Sequence, residues 1–175
     1  MLTPGNPAPS LKIETVSHGT FDLERDTGEN GTLVIQYRGL HCPICVRQMG
    51  EVEAALDEFA ELGIEVIMIT TDTDERAAET VEKAGVSKLR VGYGLSMADA
   101  RDVWGLNISV AREGSAEPAM FAEPGHFYIK PDQTLYYVWQ QTTPFARPPM
   151  SDIVGGLKFT LANNYPARGT YTGAL

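Results

Sequence analysis

The feature that most constrains this chain is a strand, helix, strand succession built around residues 32–70. Thr32-Leu33-Val34-Ile35-Gln36-Tyr37 is a nearly continuous apolar run with β-branched members. A run of that kind fits a strand covered on both faces, as in parallel sheets. A helical pattern follows: Val46, Met49, Val52 or Glu53, Leu56, Phe59 and Leu62 recur at steps of three and four. Gly63 stands where a helix C-cap belongs. Ile64-Glu65-Val66-Ile67-Met68-Ile69-Thr70 then reads as a second buried strand. Two buried strands joined by a helix predict parallel pairing, which in turn requires layers on both sides of a sheet.

The flanking segments extend that prediction. Pro4, Pro7 and Pro9 make residues 1–10 an extended lead-in. Leu11 to Val16 alternates apolar and polar residues, Ser17-His18-Gly19 is a turn, and Thr20-Phe21-Asp22-Leu23 is the return strand. Downstream, Glu75 to Lys83 reads as a helix closed by Gly85, and Leu89 to Tyr93 as a short strand. Ser96 can cap a helix from Met97 to Trp104. Residues 105–125 are broken by Gly and Pro and carry no clear period. Phe127 to Lys130 and Leu135 to Trp139 form a hairpin about the Pro131-Asp132 turn. Asp152 to Leu161 is the last helix, and residues 163–175 form a polar tail. The expected architecture is a central mixed β-sheet flanked by helices on both faces, in one domain covering 1–175, a usual length for a single domain.

Charge narrows the function classes. The chain carries 14 basic and 23 acidic residues, a net charge of −9. That balance argues against nucleic acid and against an anionic membrane surface, both of which need clustered Lys and Arg. The excess is concentrated: Glu51 to Glu79 holds ten acids and the single base Arg76. Such a run reads as a solvated helical face, or as a docking face for a basic partner. The first residues form neither a secretory apolar segment nor a span, so a cytoplasmic location is expected.

The chemistry lies between the first buried strand and its helix. The two cysteines of the chain, Cys42 and Cys45, are three apart at that junction. The first turn of a helix has unpaired N–H groups and a partial positive charge, which stabilise a thiolate. Pro43 suits that first turn, since its missing N–H loses no partner. Cys45, one turn inward, is expected to be less exposed. The pair can act as a relay in which Cys42 attacks a peroxide or disulfide and Cys45 attacks the resulting sulfenic acid or mixed disulfide. Half a zinc site is an alternative for a Cys-x-x-Cys, with His18, His41, His126 or carboxylates completing it. His41 as an imidazolium would lower the Cys42 pKa further, and His126 could approach from a facing strand. No phosphate-cradling glycine loop has strand context, so no flavin, haem or nicotinamide is expected.

At these residues the chain resembles a known family. Gly5-Asn6-Pro7-Ala8-Pro9 followed by a hairpin, the stretch Tyr37-Arg38-Gly39-Leu40-His41-Cys42-Pro43-Ile44-Cys45, and Gly125-His126-Phe127-Tyr128-Ile129-Lys130-Pro131-Asp132 resemble the peroxiredoxin-like branch of AhpC/TSA proteins. The resemblance covers roughly residues 5–162. It implies an α/β, thioredoxin-like fold with an N-terminal β-hairpin extension. It also implies an antioxidant peroxide reductase or a thiol-disulfide oxidoreductase fed by a dithiol reductant such as a thioredoxin or glutathione system, and it leaves room for a homodimer. Arg38 and Arg147 are the counterparts of the family's thiolate-activating arginine. Pro124 is the counterpart of the cis proline that faces the cysteines in thioredoxin folds. Peroxidases of the branch carry Pro seven residues and Thr or Ser three residues before the reactive cysteine. Here those places hold Ile35 and Gly39. A thioredoxin-fold binding module that has lost the chemistry, using the acidic 51–79 face, is the rival to the enzyme.

Overall fold

The computed structural model describes residues 2–174. Its centre is a five-stranded sheet in the order β5-β4-β3-β8-β9. The strands are β3 (Gly31–Gln36), β4 (Ile64–Ile69), β5 (Arg90–Gly92), β8 (Gly125–Ile129) and β9 (Leu135–Gln140). The sheet is mixed: β3 runs parallel to β4, and β4 to β5, whereas β8 is antiparallel to both β3 and β9. All six residues of β3 are buried, as expected of a strand covered on both sides.

Alternation along the strands sorts the core into two layers. Leu33, Ile35, Val66, Met68, Val91 and Tyr128 meet Met49 and Val52 of α1 (Pro43–Ala54), Phe59 of α2 (Leu56–Glu61) and Ile153, Val154 and Leu157 of α4 (Met150–Asn163). Val34, Ile67, Ile69, Phe127 and Ile129 face the other way. They are covered by Ile13 and Phe21 of the β1–β2 hairpin (Lys12–Glu14, Thr20–Asp22) and by Ala100 and Trp104. Helical structure lies on both faces, unequally: the second face has only a short turn at 97–103, π-type from Asp99. Ser96 caps it as expected, its Oγ accepting the Asp99 N–H at 2.9 Å.

Two departures from the sequence reading have local causes. The helix expected to run unbroken to Leu62 is interrupted at Ala55, whose N–H bonds back to Val52 in a tighter turn. Helix α3 (Asp74–Ala84) ends on Gly85 in the left-handed conformation, as expected, and packs against α1. Residues 105–125, unassignable by period, contain a second hairpin: β6 (Ile108–Val110) pairs antiparallel with β7 (Met120–Ala122). Three-residue strands separated by a polar loop are too short to show alternation. The lead-in is tied to the start of β9, with Gly5 and Ala8 N–H groups donating to the Leu135 and Gln133 carbonyls. Among the described residues, no helix is long and apolar enough to cross a membrane.

Candidate active site

The loop 37–41 leaves the C-terminal end of β3, the edge where parallel sheets place their sites, and delivers Cys42 to the N-cap of α1. Pro43 occupies the first helical position. Cys42 Sγ accepts the Cys45 N–H at 3.3 Å, using one of the donors a helix start leaves free. The Cys45 thiol also points at it, with the sulfurs 2.7 Å apart and both cysteines free. Closing the pair to a bond of about 2.05 Å requires little movement.

These contacts separate the two thiols electrostatically. Cys42 is lowered to about 6, first by the Cys45 thiol hydrogen bond, then by the Cys45 backbone N–H, Arg147 and Arg38, against the opposing effect of burial. Cys45 is raised well above its ordinary value by burial and by the neighbouring Cys42. Hydrogen bonding outweighs the other favourable influences on Cys42.

Arg147 comes from the segment between β9 and α4. Its Nη2 lies 3.2 Å from Cys45 Sγ and 3.8 Å from Cys42 Sγ. Its Nη1 donates to the Ala146 carbonyl at 2.7 Å, and Gln141 fastens the same turn through the Thr143 and Ala146 carbonyls. With this segment in place Cys42 is only 2% exposed and Cys45 fully buried. Both thiols are thus buried, and the guanidinium against them comes from a residue 105 positions from Cys42.

The other expected participants are placed differently. Arg38 pairs with Glu117 at 3.5 Å and Glu123 at 3.2 Å, and its guanidinium lies 4.6 Å from the Phe121 ring centroid. Its effect on Cys42 is the smallest of those above and acts through space. For His41, burial and then the Arg38 charge push its pKa down, which disfavours the imidazolium. Its ring packs on Phe121 at 4.5 Å, with neither nitrogen hydrogen bonded. His126 sits on β8 opposite Ile35, buried and 3.0 Å from Gln48 Nε2 of α1. Burial drives it down to about 3, so it is a neutral acceptor for that amide. Pro124 is a correction: no peptide bond among the described residues is cis. Glu123 N–H bonds to Asn107 and the Pro124 carbonyl accepts from Gln141. An extended trans link serves both, and trans is inherently preferred by about 0.5–1 kcal/mol.

Gly39 explains the missing hydroxyl. Its φ is +123°, and an added Cβ would lie 2.8 Å from Asp72 Cγ. Asp72, just past β4, is buried; its carboxylate accepts the Leu40 N–H at 2.8 Å and Arg76 Nε at 2.9 Å. This carboxylate holds the loop that presents Cys42, and a threonine side chain has no room there. Asp72, Gln48, Glu117 and Glu123 were not singled out in the sequence. Only Asp72 carried a signal, a polar residue at the C-terminal end of a buried parallel strand. Glu53 likewise belongs to the structure and not to a free acidic face, since it accepts the N–H groups of Ser87, Lys88 and Leu89. Among the described residues, no group of three or more His, Cys, Asp or Glu side chains is placed to hold a metal. The zinc reading thus gains no ligand set.

Comparison with known proteins gives a consistent result. The AhpC/TSA family model matches residues 4–138. The thiol-disulfide oxidoreductase ResA of Halalkalibacterium halodurans is 26% identical over 98 residues, covering 55% of this chain and 54% of the relative. The chain thus spans about half the length of that curated relative. Among solved structures, the fold resembles peroxiredoxin 6 of Arenicola marina (TM-score 0.74, 15% identity, 93% of this chain and 76% of that one). It also resembles AhpC of Enterococcus faecalis (TM-score 0.73, 14% identity, 94% and 98%). With a Cys-x-x-Cys at the mouth of α1 in a thioredoxin-like fold, and a family match over most of its length, the chain belongs to the AhpC/TSA family.

Proposed function

We propose that this protein is a dithiol oxidoreductase in which Cys42 is the nucleophile and Cys45 the resolving thiol. The observation that carries the reading is the geometry of the pair: two free cysteines at the mouth of α1, with Cys42 Sγ accepting from both the N–H and the thiol of Cys45. In the first step the Cys42 thiolate attacks one sulfur of a disulfide, forming a mixed disulfide and releasing the other sulfur as a thiolate. In the second, Cys45, having lost its proton, attacks Cys42 Sγ. The Cys42–Cys45 disulfide forms, the second substrate sulfur leaves, and it takes up the proton. Two electrons pass to the substrate, and a dithiol reductant of the thioredoxin or glutathione kind returns them.

Disulfide is the favoured oxidant because Gly39 removes the hydroxyl that would orient a peroxide, and Asp72 prevents its replacement. A donor of that kind can contribute about 2–4 kcal/mol to a charged transition state. Peroxide is the second reading, supported by the family match. It would oxidise Cys42 to a sulfenic acid with loss of an alcohol or water, and Cys45 would then displace water. In either case Cys42, 2% exposed, must be uncovered for a substrate to reach it. A cleft of about 370 Å³ has Arg38, Phe121 and Phe145 among its lining residues. The same reading places the protein in a reducing cytoplasm, where the dithiol is regenerated.

Mild oxidation with diamide tests the dithiol directly. The expected product is an intramolecular disulfide, about two daltons lighter, mapping to Cys42 and Cys45. A chain that keeps both thiols free would overturn the proposal. A sulfenate trap on Cys45→Ser after a peroxide pulse separates the oxidants: trapping at low peroxide favours the peroxidase, and its absence favours disulfide exchange.

A further inference from the structure

The guanidinium of Arg147 touches both sulfurs but is nearer the buried one, 3.2 Å from Cys45 against 3.8 Å from Cys42. We infer that Arg147 is a catalytic residue of the second step, stabilising the Cys45 thiolate that attacks Cys42. This rests on the dithiol relay above and assigns one of its steps.

The resting contacts give the argument. Cys42 already receives two hydrogen bonds from Cys45, one from its N–H and one from its thiol. It therefore has a stabilised thiolate largely without the arginine. Cys45 has the opposite problem. It is fully buried, it is a helix turn deeper, and neither histidine near the site is a base of ordinary strength. Three influences hold its proton on: burial, the hydrogen bond to Cys42, and the Cys42 charge. Once Cys42 is in a mixed disulfide its charge is gone and its sulfur is a much weaker acceptor. Burial then remains, opposed by Arg147 and a backbone hydrogen bond from Arg38. Oxidation of the first sulfur thus unmasks the effect of the arginine on the second, and the proton leaves Cys45 when its thiolate is needed. The attack forms the Cys45–Cys42 S–S bond and breaks the bond from Cys42 to the substrate sulfur. That sulfur departs with the electron pair and is protonated from solvent.

Stopped-flow reaction with 4,4′-dithiodipyridine resolves the two steps. The first thiopyridone is released when Cys42 forms the mixed disulfide, the second when Cys45 resolves it. Cys45→Ser, which lacks the second phase, assigns it. In Arg147→Gln the second phase is expected to slow by about tenfold and its pH midpoint to rise by about one unit, since each unit of thiol pKa changes the thiolate fraction tenfold below the midpoint. The first phase is expected to stay within about threefold of wild type or to quicken, because the side chain that covers Cys42 is shortened and the hydrogen bonds from Cys45 remain. Arg147→Lys, which keeps the charge, is expected to restore most of the second phase. If Arg147→Gln slowed both phases equally, or left the second-phase midpoint unmoved, the assignment would be wrong and the relay would stand. If the wild-type protein released a single thiopyridone, both would fall.

Discussion

Restoring the family's hydroxyl at position 39 is expected to damage this protein and not to improve it. Gly39→Thr places a β-branched residue at φ +123°, a conformation L residues rarely adopt. The strain amounts to about 1–2 kcal/mol. The new Cβ would lie 2.8 Å from Asp72 Cγ and 3.0 Å from its Oδ1. That carboxylate cannot simply rotate away, being 5% exposed and fixed by the Leu40 N–H and Arg76. Displacing it forfeits a charge-assisted hydrogen bond of about 1.5–3 kcal/mol. The sum is about 2.5–5 kcal/mol. For a chain of this length each kcal/mol is about 2–4 °C in melting temperature, so the reduced protein should melt roughly 5–20 °C lower. Gly39→Ala should show most of the loss, because strain and overlap arise at Cβ. Thermal unfolding followed by circular dichroism measures the effect, and peroxide consumption is assayed on the same samples. A Gly39→Thr protein that melts within about 2 °C of wild type and consumes peroxide faster would refute the reasoning about Asp72.

Ultraviolet titration of the thiolate should show Cys42 ionising near a pH of about 6, with Cys45→Ser weakening the hydrogen bonding and moving the midpoint. Because the folded value lies below the ordinary thiol value of about 8.5, this group adds stability above that pH and loses it as pH falls toward about 6. A Cys42→Ser variant should therefore show a flatter stability profile in that window by denaturant titration. His126, neutral in the fold with a value of about 3, contributes stability that is lost as pH falls from about 6.5 toward 3. His126→Gln should unfold at lower pH than wild type, and an identical acid limb would remove His126 from the account. Arg38→Met leaves the nearly buried Glu123 without its cation, and a loss of about 3 kcal/mol is expected in chemical denaturation. Arg38→Lys should recover only part of it, since one ammonium cannot reproduce the fork between Glu117 and Glu123.

How much was legible in advance differs between the sheet and the site. The central strands announced themselves because two-sided burial demands uninterrupted apolar runs: Leu33 to Tyr37 and Ile64 to Ile69 have no other use for so many branched side chains. The Ser96 cap and the Gly85 stop were equally readable, since each is set by the backbone within a few residues. The β6–β7 hairpin was not. Its partners are held by Glu117, Glu123 and Arg38, whose pairing depends on where the loops arrive.

That two thiols stand at the mouth of a helix after a buried strand could be read from residue order, because strand burial, helix period and the position of Pro43 are all local. How the thiols are governed could not. Arg147 reaches them from 105 and 102 residues away, Asp72 excludes a side chain at Gly39 from 33 positions on, and burial pushes the pKa of both His41 and His126 down. Charge, access and proton affinity at a sulfur depend on everything packed around it, and the chain brings those groups together only when it folds.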